Sequence, residues 1–427
     1  MTIKLTGTTA LATLLALPFG GAATAQELTL LSDSSADTVA LMEALTDAYT
    51  EKHPEVTFSI ETRPGGSEGD NVVKTRLATG EMADIFQYNS GALVQALRPG
   101  RTMLPINDIE NFDAMLDSFT RTVSDAEGNV YGVPIEAAMG GGIFYHIPTY
   151  EELGLEVPLT WDQFMENNRT IAEQSDVVPI AQTYRDSWTS QLFVLGDFFN
   201  VLQQEPGFAE AYTANEAKYA DTPAARQGFE RLQEVAEADF FNDDFGAASY
   251  EDGLRMIATG EAAHYPVLTF AIGALNQAYP DRMDDIGFFA QPGNEADSNG
   301  LTVWMPAALY ISRTTDHPEI ARDFLNFAAS EEACDINTRV NGAQGPYLVE
   351  GCTLPDDVPQ PVADMLPYFQ EEGRTAPALE YLSPVKGPTL EQLTVEVGTG
   401  IRDAQSAAEL YDADVAKQAK QLGLPNW

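Results

Sequence analysis

The sequence predicts an α/β protein of two lobes, each a mostly parallel sheet flanked by helices. Strand patterns alternate with helical ones from residue 28 onward. The 427 residues exceed the ~250 to 300 at which a single core stops growing, and 44% of them are hydrophobic, enough for two large cores. The texture also changes near residue 130, where a small-residue tract lies between two strand-like runs.

The first 26 residues form an export signal. Lys4 supplies the positive end, Ala10 to Phe19 is a short apolar run, and Ala23-Thr24-Ala25 gives the small residues of a cleavage site. The run is about half the ~20 apolar residues of a spanning helix. The mature chain is expected to begin near Gln26 or Glu27. With no cysteine beside the cut, the product is expected to be periplasmic and not a lipoprotein.

Leu28 to Leu31 reads as a strand, followed by a Ser-rich turn. A helix then carries Val39, Leu41, Met42, Leu45 and Tyr49 on one face. His53-Pro54 ends it, and Val56, Phe58 and Ile60 alternate as a second strand. A helix from about Asn71 to Thr79 stops at Gly80, and Asp84 to Tyr88 is a short buried strand. In such βαβ arrangements ligands bind at the carboxyl ends of strands, here the turns Ser32 to Asp37 and Tyr88 to Gly91. Strands follow at Val130 to Pro134 and Ile143 to His146. The glycines between them either permit close packing or mark a crossing between lobes. Thr160-Trp161-Asp162-Gln163 is a capping box opening a helix to about Glu173, and Pro223 and Pro318 each stand at a first helical position.

Charge and cysteines narrow the partners. Asp and Glu number 65 against 23 Lys and Arg, a formal net charge of −42, which repels nucleic acid and anionic lipid. The acidity reads as a solvated surface suited to a salty medium rather than as recruitment of a cation. Cys334 and Cys352 are expected to pair as a structural disulfide, because an exported protein lives where disulfides persist.

The sequence offers little for catalysis. The four histidines lie far apart; zinc spacings, a Gly-x-Ser-x-Gly elbow, a phosphate loop and a dinucleotide fingerprint are all missing. No catalytic residue, metal ligand or cofactor is therefore assigned. Instead, aromatic and polar residues gather near strand ends: Tyr88-Asn89-Ser90, Arg185 with Trp188, Tyr265, Phe270 and Trp304. Aromatic faces stack on pyranose C–H faces while amides, Arg and carboxylates satisfy hydroxyls, so these residues describe a sugar cleft. Trp161, directly after a helix cap, is assigned to core.

In this order the motifs resemble the extracellular solute-binding proteins of carbohydrate ABC importers, the maltose-binding-protein-like group. Val130-Tyr131-Gly132-Val133-Pro134 with Gly142-Ile143-Phe144-Tyr145-His146 is similar to that family's strand pair. Pro158-Leu159-Thr160-Trp161-Asp162-Gln163-Phe164, Gly260-Glu261-Ala262-Ala263-His264-Tyr265 and His317-Pro318-Glu319 continue the likeness. The resemblance implies a two-lobed periplasmic binding protein fold, type II-like, with several hinge crossings. It also implies a carbohydrate ligand, the inner-membrane permease subunits as partners, and a monomer. Tyr88 and Trp188 match stacking aromatics, and Phe270 stands where the family usually has Trp. Ser34 and Ser35 occupy the first cleft turn, and Met139 sits where some maltose binders place a carboxylate. Glu136 and Gln344 complete the expected site. The lobes are expected at 27–137 with about 290–340, and at 138–289 with about 341–427. Two rivals remain: a receptor for a cationic solute such as a polyamine, using Glu136, Asp186 and Glu261, and a secreted carbohydrate-active enzyme.

Overall fold

The computed structural model describes Met1 and residues 26–427, so the expected signal peptide and its cleavage site lie outside the described residues. Two sheets organise the rest. The first contains β1 (Gln26–Asp33), β2 (Val56–Arg63), β3 (Ile85–Tyr88), β4 (Gly132–Pro134) and β10 (Ala308–Ile311), in the order β2-β1-β3-β10-β4. The second contains β5 (Met139–His146), β6 (Val178–Ile180), β7 (Ala262–Leu268), β8 (Ile286–Ala290), β9 (Leu301–Trp304) and β11 (Thr375–Pro377).

The pairing differs from the expected mostly parallel pattern. β1 is parallel to β2 and β3, but β10 runs antiparallel to β3 and β4. In the second sheet β5 is antiparallel to β7, β8 and β9, while β6–β7 and β9–β11 are parallel. The reason is connectivity: the chain leaves the first sheet after β4, builds the second, and returns after β9 to insert β10. The segments 135–138 and 305–307 are two of the crossings, and the chain crosses again between β10 and β11. β9, inside the stretch 290–340 expected to belong with the first lobe, is hydrogen-bonded in the second sheet.

The local signals act as their chemistry dictates. The helix Ala36–Lys52 buries Leu41, Met42, Leu45 and Tyr49. Gly66–Thr79 forms a helix five residues longer at its start than its apolar pattern suggests, and Gly80 ends it in the left-handed conformation. The Thr160 capping box is formed in full, with Trp161 buried behind it. Cys334 and Cys352 are disulfide-bonded.

The glycine tract belongs to β5 rather than to a crossing. A Cβ on Gly141 would lie 2.2 Å from the Trp304 ring, and one on Gly142 would lie 2.4 Å from the Phe289 carbonyl oxygen. Close packing is therefore what these glycines serve. One apolar cluster runs continuously from the first sheet to Phe144 and Tyr265 of the second and to Ile272 of the helix Ala271–Ala278; another, around Phe164, Phe193, Phe229 and Tyr411, fills the far side of the second sheet.

Candidate functional site

The carboxyl end of β1 meets the second sheet's loops at a single locus. Asp33 closes β1, and its carboxylate accepts from the backbone N–H of Ser35 at 2.9 Å and from the Ser35 hydroxyl at 2.6 Å. Ser35 is the residue before the helix Ala36–Lys52, so Asp37 falls in that helix's first turn, where the dipole favours an acid. Asp37 is only 4% exposed, and among the described residues its Oδ1 has no hydrogen-bond partner. Burial raises its pKa; the Ser35 hydrogen bond opposes this, and the Asp33 charge adds to it.

Glu136, in the 135–138 crossing, lies within the field of the same two acids. Its carboxyl is pushed up to about 8 by burial first, and by Asp37 and Asp33 after it.

From the second sheet comes an aromatic wall. Trp188, Tyr250 and Phe270 pack mutually with ring centroids 5.2 to 5.8 Å apart. Asp186 fixes this wall by accepting the backbone N–H of Tyr250, the first residue of the helix Tyr250–Thr259, at 2.7 Å. Burial, and next the charge of Asp37, holds the Tyr250 hydroxyl well above its ordinary pKa. Phe270 immediately precedes the helix Ala271–Ala278. A Cβ on Gly273 of that helix would lie 2.3 Å from Gln344 Nε2 and 3.4 Å from Asp37 Oδ2, so this glycine lets the two polar groups approach the helix. Opposite, a Cβ on Gly66 would lie 3.2 Å from Trp188 Cδ1, which puts the start of the helix Gly66–Thr79 against the indole.

Residues 32–333 match the family model described as bacterial extracellular solute-binding protein. The chain belongs to this family. Among relatives, a multiple sugar-binding protein of Streptococcus mutans is 27% identical over 329 residues, covering 73% of each chain. A lactose-binding protein of Rhizobium radiobacter is 25% identical over 364 residues, covering 79% of each. Among solved structures, a chitin oligosaccharide binding protein superposes with a TM-score of 0.79 at 22% identity, covering 93% of this chain and 99% of that one. The solute-binding protein RafE in complex with raffinose gives 0.76 at 21%, covering 92% and 99%. At these identities the structures show the two-lobed fold.

Within this solute-binding protein, Trp188, Phe270 and Gln344 come together with Glu136 beside the acids, whereas Tyr88, Ser90, Tyr265 and Trp304 turn into the core. Tyr88 is fully buried in β3, with the Arg63 guanidinium 5.7 Å from its ring centroid. Tyr265 is buried, shares a hydrogen bond with Thr183 and packs against Gly253. Trp304 is buried, donates its indole N–H to Glu380, and lines a small cavity with Phe198, Tyr219 and Tyr411. Ser90 is buried and donates to the Pro306 carbonyl. Ser34, Asn89 and Arg185 are exposed, Met139 opens β5, and Ser35 spends its hydroxyl on Asp33. Of the acids named for a cationic solute, Asp186 caps the Tyr250 helix. Glu261 pairs with Arg255, which with its hydrogen bond holds the carboxyl below the usual range. Asp33, Asp37 and Tyr250 are the residues that sequence reasoning missed. Their signal was faint but present: the two acids bracket the Ser-rich turn at the end of the first strand.

Proposed function

We propose that this chain captures a carbohydrate between its two lobes and delivers it to the membrane permease of an ABC importer, without altering it. The observation that carries this reading is the contiguous wall of Trp188, Tyr250 and Phe270 beside Asp37 and Gln344, whose buried acceptors lack donors among the described residues. A pyranose has an apolar C–H face for the wall and hydroxyl donors for the acceptors. The relatives named for sugars support the same class. The lobes are read as 27–137 with about 290–340, against 138–289 with about 341–427, β9 being lent to the second sheet. Removal of the export signal near Ala25, a periplasmic location free of lipid, and a monomeric state belong to the same reading.

A thermal-shift screen over mono-, di- and oligosaccharides and polyols tests it. At least one sugar should raise the melting temperature and quench tryptophan fluorescence, and should be recovered chemically unchanged. Turnover of that sugar by the pure protein would overturn the receptor in favour of an enzyme.

A further inference from the structure

The polar half of the site is unbalanced in both charge and hydrogen bonding. Asp33 and Asp37 bring two carboxylates to one locus, with the Glu136 carboxyl, pushed up to about 8 and so protonated near pH 6, beside them; Arg63, the strand partner of Asp33, gives its guanidinium to the carbonyl oxygens of Pro64 and Gln87. Two further observations stand apart from the acids. Gln344 is 5% exposed, and its Oε1 has no partner among the described residues. Tyr250 is 6% exposed, and its hydroxyl, which feels the charges of Asp37 and Asp33, is likewise unpaired. Asp37 Oδ1 and Gln344 Oε1 are buried acceptors without donors among the described residues, the Tyr250 hydroxyl can donate or accept, and Gly273 keeps the space beside Gln344 and Asp37 clear of a side chain.

A neutral sugar answers the hydrogen bonding of this lining but not its charge. Each hydroxyl brings one donor together with two acceptor sites of its own, and it carries no charge to set against the carboxylates. A protonated amine brings three donors, no acceptor and a compensating charge. Buried charge is costly unless paired, so the occupant that neutralises the cluster is favoured over one that does not.

Resting on the carbohydrate reading, we propose that the solute is a sugar bearing a protonated amino group. Its ammonium lies at Asp33 and Asp37, beside the Glu136 carboxyl, while its ring packs on Trp188 and Phe270.

The test is isothermal titration at about pH 6, where an α-type amine is protonated. The probes are glucosamine and its β-1,4-linked dimer, their N-acetylated counterparts, glucose, cellobiose and spermidine. The free-amine sugars should bind at least about ten-fold more tightly than their N-acetylated or hydroxyl counterparts. Asp37→Asn should bring that ratio towards one, while an unchanged melting temperature shows that the variant folds. An N-acetylated or unsubstituted sugar binding as tightly as the amine, or more tightly, overturns the proposal and leaves the carbohydrate reading standing. Spermidine binding where none of the sugars binds overturns both. No binding by the free-amine sugars overturns the proposal, whatever other sugars do. A ratio unchanged in Asp37→Asn removes the ammonium from the cluster and overturns the proposed geometry.

Discussion

Trp188 is held from below by Tyr250 and Phe270 and faced by Gly66, so its indole is oriented before any ligand arrives. A pre-oriented aromatic loses little conformational entropy on binding and acts as an anchor. Trp188→Ala is expected to weaken sugar binding more than ten-fold, about 1.4 kcal/mol or more, with the fold intact. Titration of the variant with the sugar found in the screen checks this, and an unchanged dissociation constant would remove Trp188 from the site. Glu136 makes a second, electrostatic prediction. Its pKa in the folded protein, about 8, lies above its ordinary 4.5, so folding favours the protonated carboxyl. The stability this supplies is complete below about 4.5 and is lost as pH rises through about 8. The melting temperature of ligand-free protein should therefore fall between about pH 5 and about pH 9, and Glu136→Gln should flatten that slope. An identical slope in the variant would mean that Glu136 ionises freely in the folded state. Neither Asp33 nor Asp37 stands out in a chain with 65 acidic residues; only the meeting of the β1 end with the helix Ala271–Ala278 distinguishes them. Trp304 presents the converse case, an aromatic at a strand end whose indole N–H turns inward to Glu380.

The elements were legible wherever a local rule acts alone. The capping box at Thr160, Pro at the start of Pro223–Glu237 and of Pro318–Ala328, and Gly80 after Gly66–Thr79 each fix an end through a few adjacent residues. β5 was only half legible, because Gly140 to Gly142 have no side chains to show the alternation that marks a strand. What assigns them is the Trp304 and Phe288 rings lying where their Cβ atoms would be, a contact between residues over a hundred positions apart. Gly141→Ala forces the Trp304 ring to move and should cost about 1 to 3 kcal/mol, seen as a lower denaturation midpoint with an unchanged m-value. A midpoint equal to the wild type would mean that the ring yields freely. The disulfide is a separate element-scale constraint. Cys334 lies in the helix Glu331–Asn341 and Cys352 lies 18 residues later, so on the chain-entropy model the cross-link contributes about 3 kcal/mol. The double variant Cys334→Ser with Cys352→Ser should unfold at lower denaturant yet bind sugar as before, because neither cysteine touches the aromatic wall.

At the scale of the whole molecule, the site exists only where the two sheets' layers meet. Asp33, Asp37 and Gly66 come from the first; Trp188, Tyr250 and Phe270 come from the second. The sequence announced two lobes through its length and its change of texture, but not the return of β10 to the first sheet, since antiparallel insertion is decided by pairing across the molecule. Two of the connections between the sheets, 135–138 and 305–307, are short, so a few backbone dihedrals in them suffice for opening and closing. The start of the helix Gly66–Thr79 lies against Trp188, and a ligand that bridges them is expected to select this closed arrangement. At about 100 times its dissociation constant the sugar should stabilise the fold by about 2.7 kcal/mol, and it should reduce the radius of gyration measured by small-angle scattering. Gly66 has φ +62° and close contact with the indole, so Gly66→Val strains the backbone and props the lobes apart. It should raise the dissociation constant about ten-fold and blunt the sugar-induced compaction, while the Gly80→Ala control at the far end of the same helix, also at positive φ, costs stability alone. Equal compaction in wild type and Gly66→Val would show that the Gly66–Trp188 contact plays no part in closure.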